Sequence, residues 1–236
     1  MMPARSLLAV LLATLSSAFL AARALPAQST TILDTKHNLS VSGPGPVKAL
    51  VEEEVCVFCH TPHRALGVPL WNRADSRAQY MPYESSTLRA VPGQPTGASK
   101  LCLSCHDGTI ALGAVGSRQQ EIAFVGGARF MPQGPGFLGS DLRDDHPISF
   151  VYDSSLAASH PGILDPAQIR KPVALDAGGQ LQCTSCHDPH SSSNGAFLVA
   201  PSAFSELCTS CHLPPGWPGA THGASQATWN GNPPDP

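Results

Sequence analysis

Every cysteine in this 236-residue chain is committed to a single pattern. Cys56-Val-Phe-Cys59-His60, Cys102-Leu-Ser-Cys105-His106, Cys183-Thr-Ser-Cys186-His187 and Cys208-Thr-Ser-Cys211-His212 are four copies of C-x-x-C-H, and together they use all eight thiols. The spacing is the one that attaches c-type haem: two thiols add to the two vinyl groups of a porphyrin, and the adjacent histidine binds iron on the proximal face. With 10 histidines among 236 residues, a histidine after all four pairs arises by chance on the order of once in a few hundred thousand sequences. Four disulfides or two thiolate zinc sites would use the same cysteines. Neither accounts for the histidines, because a disulfide has no use for one and a four-thiolate zinc site is already closed. The sequence therefore reads as four covalent haem c groups with their iron.

Porphyrins of this number replace a side-chain core. The chain has only 8 Phe and 3 Trp to build one, while 23 Pro and 21 Gly make long regular elements improbable. The predicted fold class is a multihaem cytochrome c: mostly irregular coil, with short α-helices packed around a chain of stacked haems and little β. Each motif is expected at the end of a short helix. Pro46 opens one such segment, Val47 to His60 runs with good formers, and Pro62 ends it. Another short helix is expected to enter Cys208 from Ser202. Residues 113–139 hold 7 glycines and read as loop, and from Pro214 to Pro236 the tail is Pro-rich, with Trp217 and Trp229 as anchors.

The N-terminus reads Met1-Met2-Pro3-Ala4-Arg5, then an apolar run from Leu7 to Ala22, then Ala22-Arg23-Ala24 with the small-residue spacing of a signal-peptidase site. The run is short against the roughly 20 residues of a spanning helix. The expectation is a cleaved signal peptide over 1–24, and an exported chain without membrane insertion after cleavage. Removing Arg5 and Arg23 leaves 12 basic against 17 acidic residues, a formal charge of −5. Such a balance gives no footing for nucleic acid.

An internal repeat extends beyond the haem motifs. His37-Asn-Leu-Ser, C-V-F-C-H-T-P-His63 and Leu101-C-L-S-C-His106 are answered by His146-Pro-Ile-Ser, C-T-S-C-H-D-P-His190 and Leu207-C-T-S-C-His212. Two di-haem modules follow, over 25–112 and 146–236, with a Gly-rich connecting segment over 113–145. The four motif histidines, His60, His106, His187 and His212, are the proximal ligands. Six others remain, and His37, His63, His146 and His190 occupy matching places in the two copies, which nominates them as distal ligands. His63 and His190 stand three residues after a proximal histidine, too close to reach the far face of the same ring, so each is expected to bind the iron of a neighbouring haem. His222 lies outside the repeat as a reserve distal candidate, and His160 is weaker still. Met81 and Met131 both precede proline, or follow aromatic neighbours, in loop surroundings and are expected to pack there.

K-H-N-L-S, E-V-C-V-F-C-H-T-P-H, P-L-W-N-R, K-L-C-L-S-C-H-D-G-T-I-A-L-G, D-H-P-I-S-F, Q-C-T-S-C-H-D-P-H and A-T-W-N-G resemble segments of the tetrahaem extracellular filament cytochromes of the OmcE type. The similarity runs from about His37 to Gly231. It implies bis-histidine ligation at every haem, polymerisation into a thread with a continuous haem stack, and one axial histidine supplied by the adjacent subunit. By motif, His37 is the position nominated for that crossing.

The function expected is electron transfer without enzymatic turnover, with the chain itself as homopolymer partner and other c-type cytochromes or extracellular electron acceptors as redox partners. The place is an extracellular surface filament, or the periplasm if the chain is a monomeric tetrahaem shuttle. A multihaem reductase is a third class. It needs an iron with an open position, and here every motif ends in His with six histidines to spare.

Overall fold

The computed structural model describes residues 31–63 and 69–219. The predicted signal peptide, the end of the Pro-rich tail with Trp229, and His222 lie outside the described residues. Among those residues regular structure is sparse and short, as expected. The helices are α1 (Gly97–His106), α2 (Ser154–Ser159), α3 (Cys183–Cys186) and α4 (Glu206–Thr209), joined by coil and single 3-10 turns. One antiparallel pair, β1 (Phe150–Val151) with β2 (Gln180–Leu181), is in the register Phe150↔Leu181. No helix of the described residues is long and apolar enough to cross a membrane.

Local chemistry puts each motif on a turn of helix. In α1, Thr96 supplies the extended N-cap backbone and the second motif forms the last turns. The helix stops at Gly108, whose φ of 71° is left-handed and where a Cβ would stand 2.5 Å from the Phe137 ring. The third motif is α3 itself. The fourth is entered through the 3-10 turn Ala203–Ser205 and α4, where a helix from Ser202 was expected.

The helix predicted from Val47 to His60 does not form; only Val55–Phe58 turns, as 3-10 helix. Tertiary pairing overrides the local propensity. The backbone N–H groups of Ala49 and Leu50 donate to the carbonyls of Leu39 and Ala123, and the Lys48 and Glu52 carbonyls accept from Val125 and Val41. With these groups committed across the chain, an i to i−4 ladder has no partners left. Arg118 gathers the acidic cluster instead, reaching Glu52 at 3.0 Å and Glu54 at 3.1 Å.

Among the described residues the side-chain cores are small, and Ile148 packs against two of them. Ala49, Val57, Phe58, Leu112, Val115 and Phe124 form one, with Cys59 and Cys105 at its margin. Tyr80, Leu103 and Leu142 form a second, and Phe150, Tyr152 and Leu181 a third. The two halves of the chain are joined through a buried polar node. Gln182 Oε1 accepts from the hydroxyls of Ser99 (2.6 Å) and Ser149 (3.1 Å), and Ser99 Oγ accepts in turn from the Cys183 N–H. This node packs α1 on α3. The Gly-rich segment 113–145 folds back on α1, its Leu138 N–H donating to the His106 carbonyl.

Candidate functional site

Three of the four motif histidines are oriented by the backbone. His60 Nδ1 lies 2.8 Å from the Pro69 carbonyl, His106 Nδ1 2.6 Å from that of Gly136, and His187 Nδ1 2.9 Å from that of Ala196. A carbonyl oxygen can only accept, so each Nδ1 must carry the proton. In the neutral ring this places the lone pair on Nε2, the tautomer a metal-bound imidazole requires. His37 and His146 are set the same way, by the carbonyls of Pro189 (3.0 Å) and Pro147 (2.9 Å). His190 Nδ1 meets the carboxylate of Asp188 at 3.2 Å.

These rings come in facing pairs. His37 stands 6.0 Å from His106, His60 6.1 Å from His190, and His146 6.2 Å from His212, centroid to centroid. A metal–nitrogen bond of about 2 Å on each side, with each centroid about 1 Å beyond its nitrogen, sets two axial imidazoles roughly 6 Å apart. The residues present therefore fit haem iron ligated by two histidines. His190 stands opposite the proximal histidine of the first motif and not that of its own, the third. His37, nominated by the resemblance to cross to another subunit, instead faces His106 of its own chain. Among the described residues neither His63 nor His187 has a facing imidazole. His160, near His212, has its Nδ1 buried without a partner.

The ring planes differ between pairs: 69° for His37 with His106, 75° for His146 with His212, and 19° for His60 with His190. Perpendicular imidazoles leave two d orbitals of ferric iron nearly degenerate, and parallel ones split them. Electron paramagnetic resonance of the oxidised protein should accordingly show at least two strongly anisotropic low-spin signals and at least one rhombic one. Uniformly rhombic spectra would contradict these angles.

No disulfide joins any two of the eight cysteines, and among the described residues no group of three or more His, Cys, Asp or Glu converges as a metal site. The two-zinc reading of the cysteines has no geometry to support it. Burial pushes the Cys59 thiol up to about 12 and the Cys211 thiol up to about 11, so they sit in apolar surroundings and are not exposed reactive thiolates. The first three motifs are also neighbours. Cys59 and Cys105 pack at the margin of one core, and Ser99 of α1, the helix that carries the second motif, accepts from the N–H of Cys183 in the third.

Two paired histidines resist protonation. His37 is held below the ordinary value of 6.5 chiefly by burial, with the Pro189 carbonyl opposing, and His212 by burial and by His146 and His160. An imidazole whose folded pKa is depressed leaves the unfolded chain holding more protons below 6.5. Its contribution to stability is complete above that value and is lost as the pH falls through the folded pKa. The denaturation midpoint should fall on acidification from about pH 7 to about pH 5; a flat midpoint across that range would contradict it.

Sequence reasoning missed the acceptors that orient the motif histidines, although their signal was present. His187 lies 127 positions after His60, and Ala196 lies 127 after Pro69. The two loops are the same length, and the bonds at their two ends coincide among the described residues. Thr61 N–H donates to Leu70 as Asp188 N–H does to Phe197, and Asn72 N–H donates to Cys59 as Val199 N–H does to Cys186. Leu70 and Phe197 share a left-handed φ, 63° and 59°.

A family model described as a doubled CXXCH motif matches residues 173–215, which span the third and fourth motifs. A search of curated proteins finds no match to the chain. The doubled motif indicates a multihaem c-type cytochrome and implies covalently bound haem c.

Proposed function

We propose that this chain carries electrons through four covalent bis-histidine haems and assembles head to tail into an extracellular filament. When bound, haem c supplies an iron that cycles between two oxidation states. The chain's own residues would do the rest: eight thiols would anchor the groups, and imidazoles, six of them held through Nδ1, would ligate the irons in pairs. A filled coordination sphere suits electron transfer and leaves no iron open for a substrate, which is why the reading is not an enzyme. The packing of the first motif beside the second and of the second beside the third supports a path in the order of the motifs.

The observation that carries the polymer reading is the pairing of His60 with His190 at 6.1 Å. It joins the first motif of one repeat copy to the histidine following the first motif of the next copy. Applied once more, the same relation pairs His187 with His63 of a following subunit. Phe197, which stacks on His37 at 4.1 Å, has its counterpart in Leu70, half exposed on the same loop as His63. An interface that uses different patches on the two partners grows as a filament wherever its rotation does not close a ring. The resemblance to filament cytochromes points the same way, with His63 in place of His37 as the crossing ligand.

Electron microscopy of the secreted material tests this directly. Threads are expected, together with loss of threads in His63→Ala and one carbon monoxide-binding iron per subunit in that variant. Free imidazole should restore its low-spin spectrum without restoring threads. Single particles with four six-coordinate irons would favour the monomeric periplasmic shuttle, with His222 as the ligand to test. Carbon monoxide binding by the untreated reduced protein would favour a reductase.

A further inference from the structure

We infer that Arg73 is a fixed buried charge that raises the reduction potentials of the haems of the first two motifs above those of the last two. The inference rests on the four-haem reading. It starts from the loops 60–73 and 187–200, which share their length and the hydrogen bonds that close their two ends. Their last positions are both buried, Arg73 at 1% exposure and Ala200 at 3%. One repeat copy thus seals this place with a methyl group and the other with a guanidinium.

Arg73 is held without an acid. Its Nη1 donates to the Leu112 carbonyl at 2.7 Å, and its Nη2 to those of Ala111 at 2.9 Å and Ser104 at 3.2 Å. Its Nε is buried with no partner, and no carboxylate lies within ion-pair distance among the described residues. Carbonyl dipoles offset only part of the cost of burying a charge. A site that keeps such a group gains when negative charge arrives nearby, and each reduced iron brings one electron.

The guanidinium is also well placed to act. It donates to the carbonyl of Ser104, the residue before Cys105, and its chain neighbour Asn72 donates through its N–H to the Cys59 carbonyl, so it adjoins the attachment points of the first and second motifs. Asp107, at the C-cap of α1 two residues after Cys105, carries the opposing charge. That carboxylate is tied down by the Tyr80 hydroxyl at 2.6 Å and the Thr109 N–H at 2.8 Å. A unit charge acting over about 10 Å through an effective dielectric constant near 20 changes a one-electron equilibrium roughly tenfold. For one electron a tenfold change is about 59 mV.

Arg73 is a positioning residue for carbonyls as well, so the test must read charge apart from packing. Haem-resolved redox titration of the wild-type holoprotein, followed by paramagnetically shifted nuclear magnetic resonance signals, is expected to assign the two highest midpoints to the haems at Cys56/Cys59 and Cys102/Cys105. Arg73→Gln keeps donors and removes charge. It should shift those two midpoints down by about tenfold in the ferrous/ferric ratio, and the other two by much less. Arg73→Lys should leave all four near wild type. The highest midpoints at Cys183/Cys186 and Cys208/Cys211 in wild type would overturn the inference even if Arg73→Gln fails to fold. So would unchanged midpoints in a fully loaded Arg73→Gln protein. Intact mass, read on the same samples, counts haems, so a shortfall in the wild type counts against the four-haem reading and unchanged midpoints count against Arg73.

Discussion

His190→Ala should turn one iron in four high-spin, and the iron affected should be the one attached at Cys56 and Cys59, more than a hundred residues away in sequence. His190 follows His187 by three residues, so loss of a purely local ligand would open the iron at Cys183 and Cys186. The geometry says otherwise: the His190 ring lies 6.1 Å from that of His60 and 19° from parallel. Resonance Raman spectroscopy and carbon monoxide binding read the open iron. His60→Met in the same background identifies it, because changing the proximal ligand of the opened haem alters the high-spin signal. An open iron at His187 instead would break the cross-module pairing and, with it, the head-to-tail reading built upon it.

A chain exported without haem attachment should not fold. The three side-chain clusters are small, and the largest has six buried members. Fixing a backbone costs about 1 to 2 kcal/mol per residue, and burial of so few apolar side chains does not offset that over roughly 200 residues. The 23 Pro and 21 Gly leave little regular backbone hydrogen bonding to assist. Replacing all eight cysteines by alanine removes the attachment points without adding charge. Far-ultraviolet circular dichroism and amide exchange should then report an unprotected chain with no cooperative melting transition. A sharp transition in the cysteine-free protein would show that side chains alone hold the fold.

The sequence made the cofactor legible because thioether attachment demands fixed spacing, and C-x-x-C-H is that spacing written four times. It also made the low content of regular structure legible, since proline and glycine act locally. The repeat was visible at its histidines, and this nominated His37, His146 and His190, which now stand in facing pairs. What stayed hidden depends on pairing between distant segments. The acidic run at Glu52 to Glu54 has the look of a helix until the backbone partners at Leu39 and Ala123 are known. His37 looked like a terminal ligand free to reach outward, and only the fold shows that the Pro189 carbonyl and the Phe197 ring hold it beside His106. Arg73 in P-L-W-N-R carries no sign of burial in its neighbours, and its contrast with Ala200 appears only when the two loops are aligned by their hydrogen bonds.

The most direct test of the central claim is the intact mass of the secreted protein under denaturing conditions, taken with its spectrum in the reduced state. Four covalent haem c groups per chain, every thiol consumed, and a wholly low-spin ferrous spectrum that carbon monoxide leaves unchanged are the predicted result. Fewer than four retained haems, or free thiols in the purified chain, would contradict it.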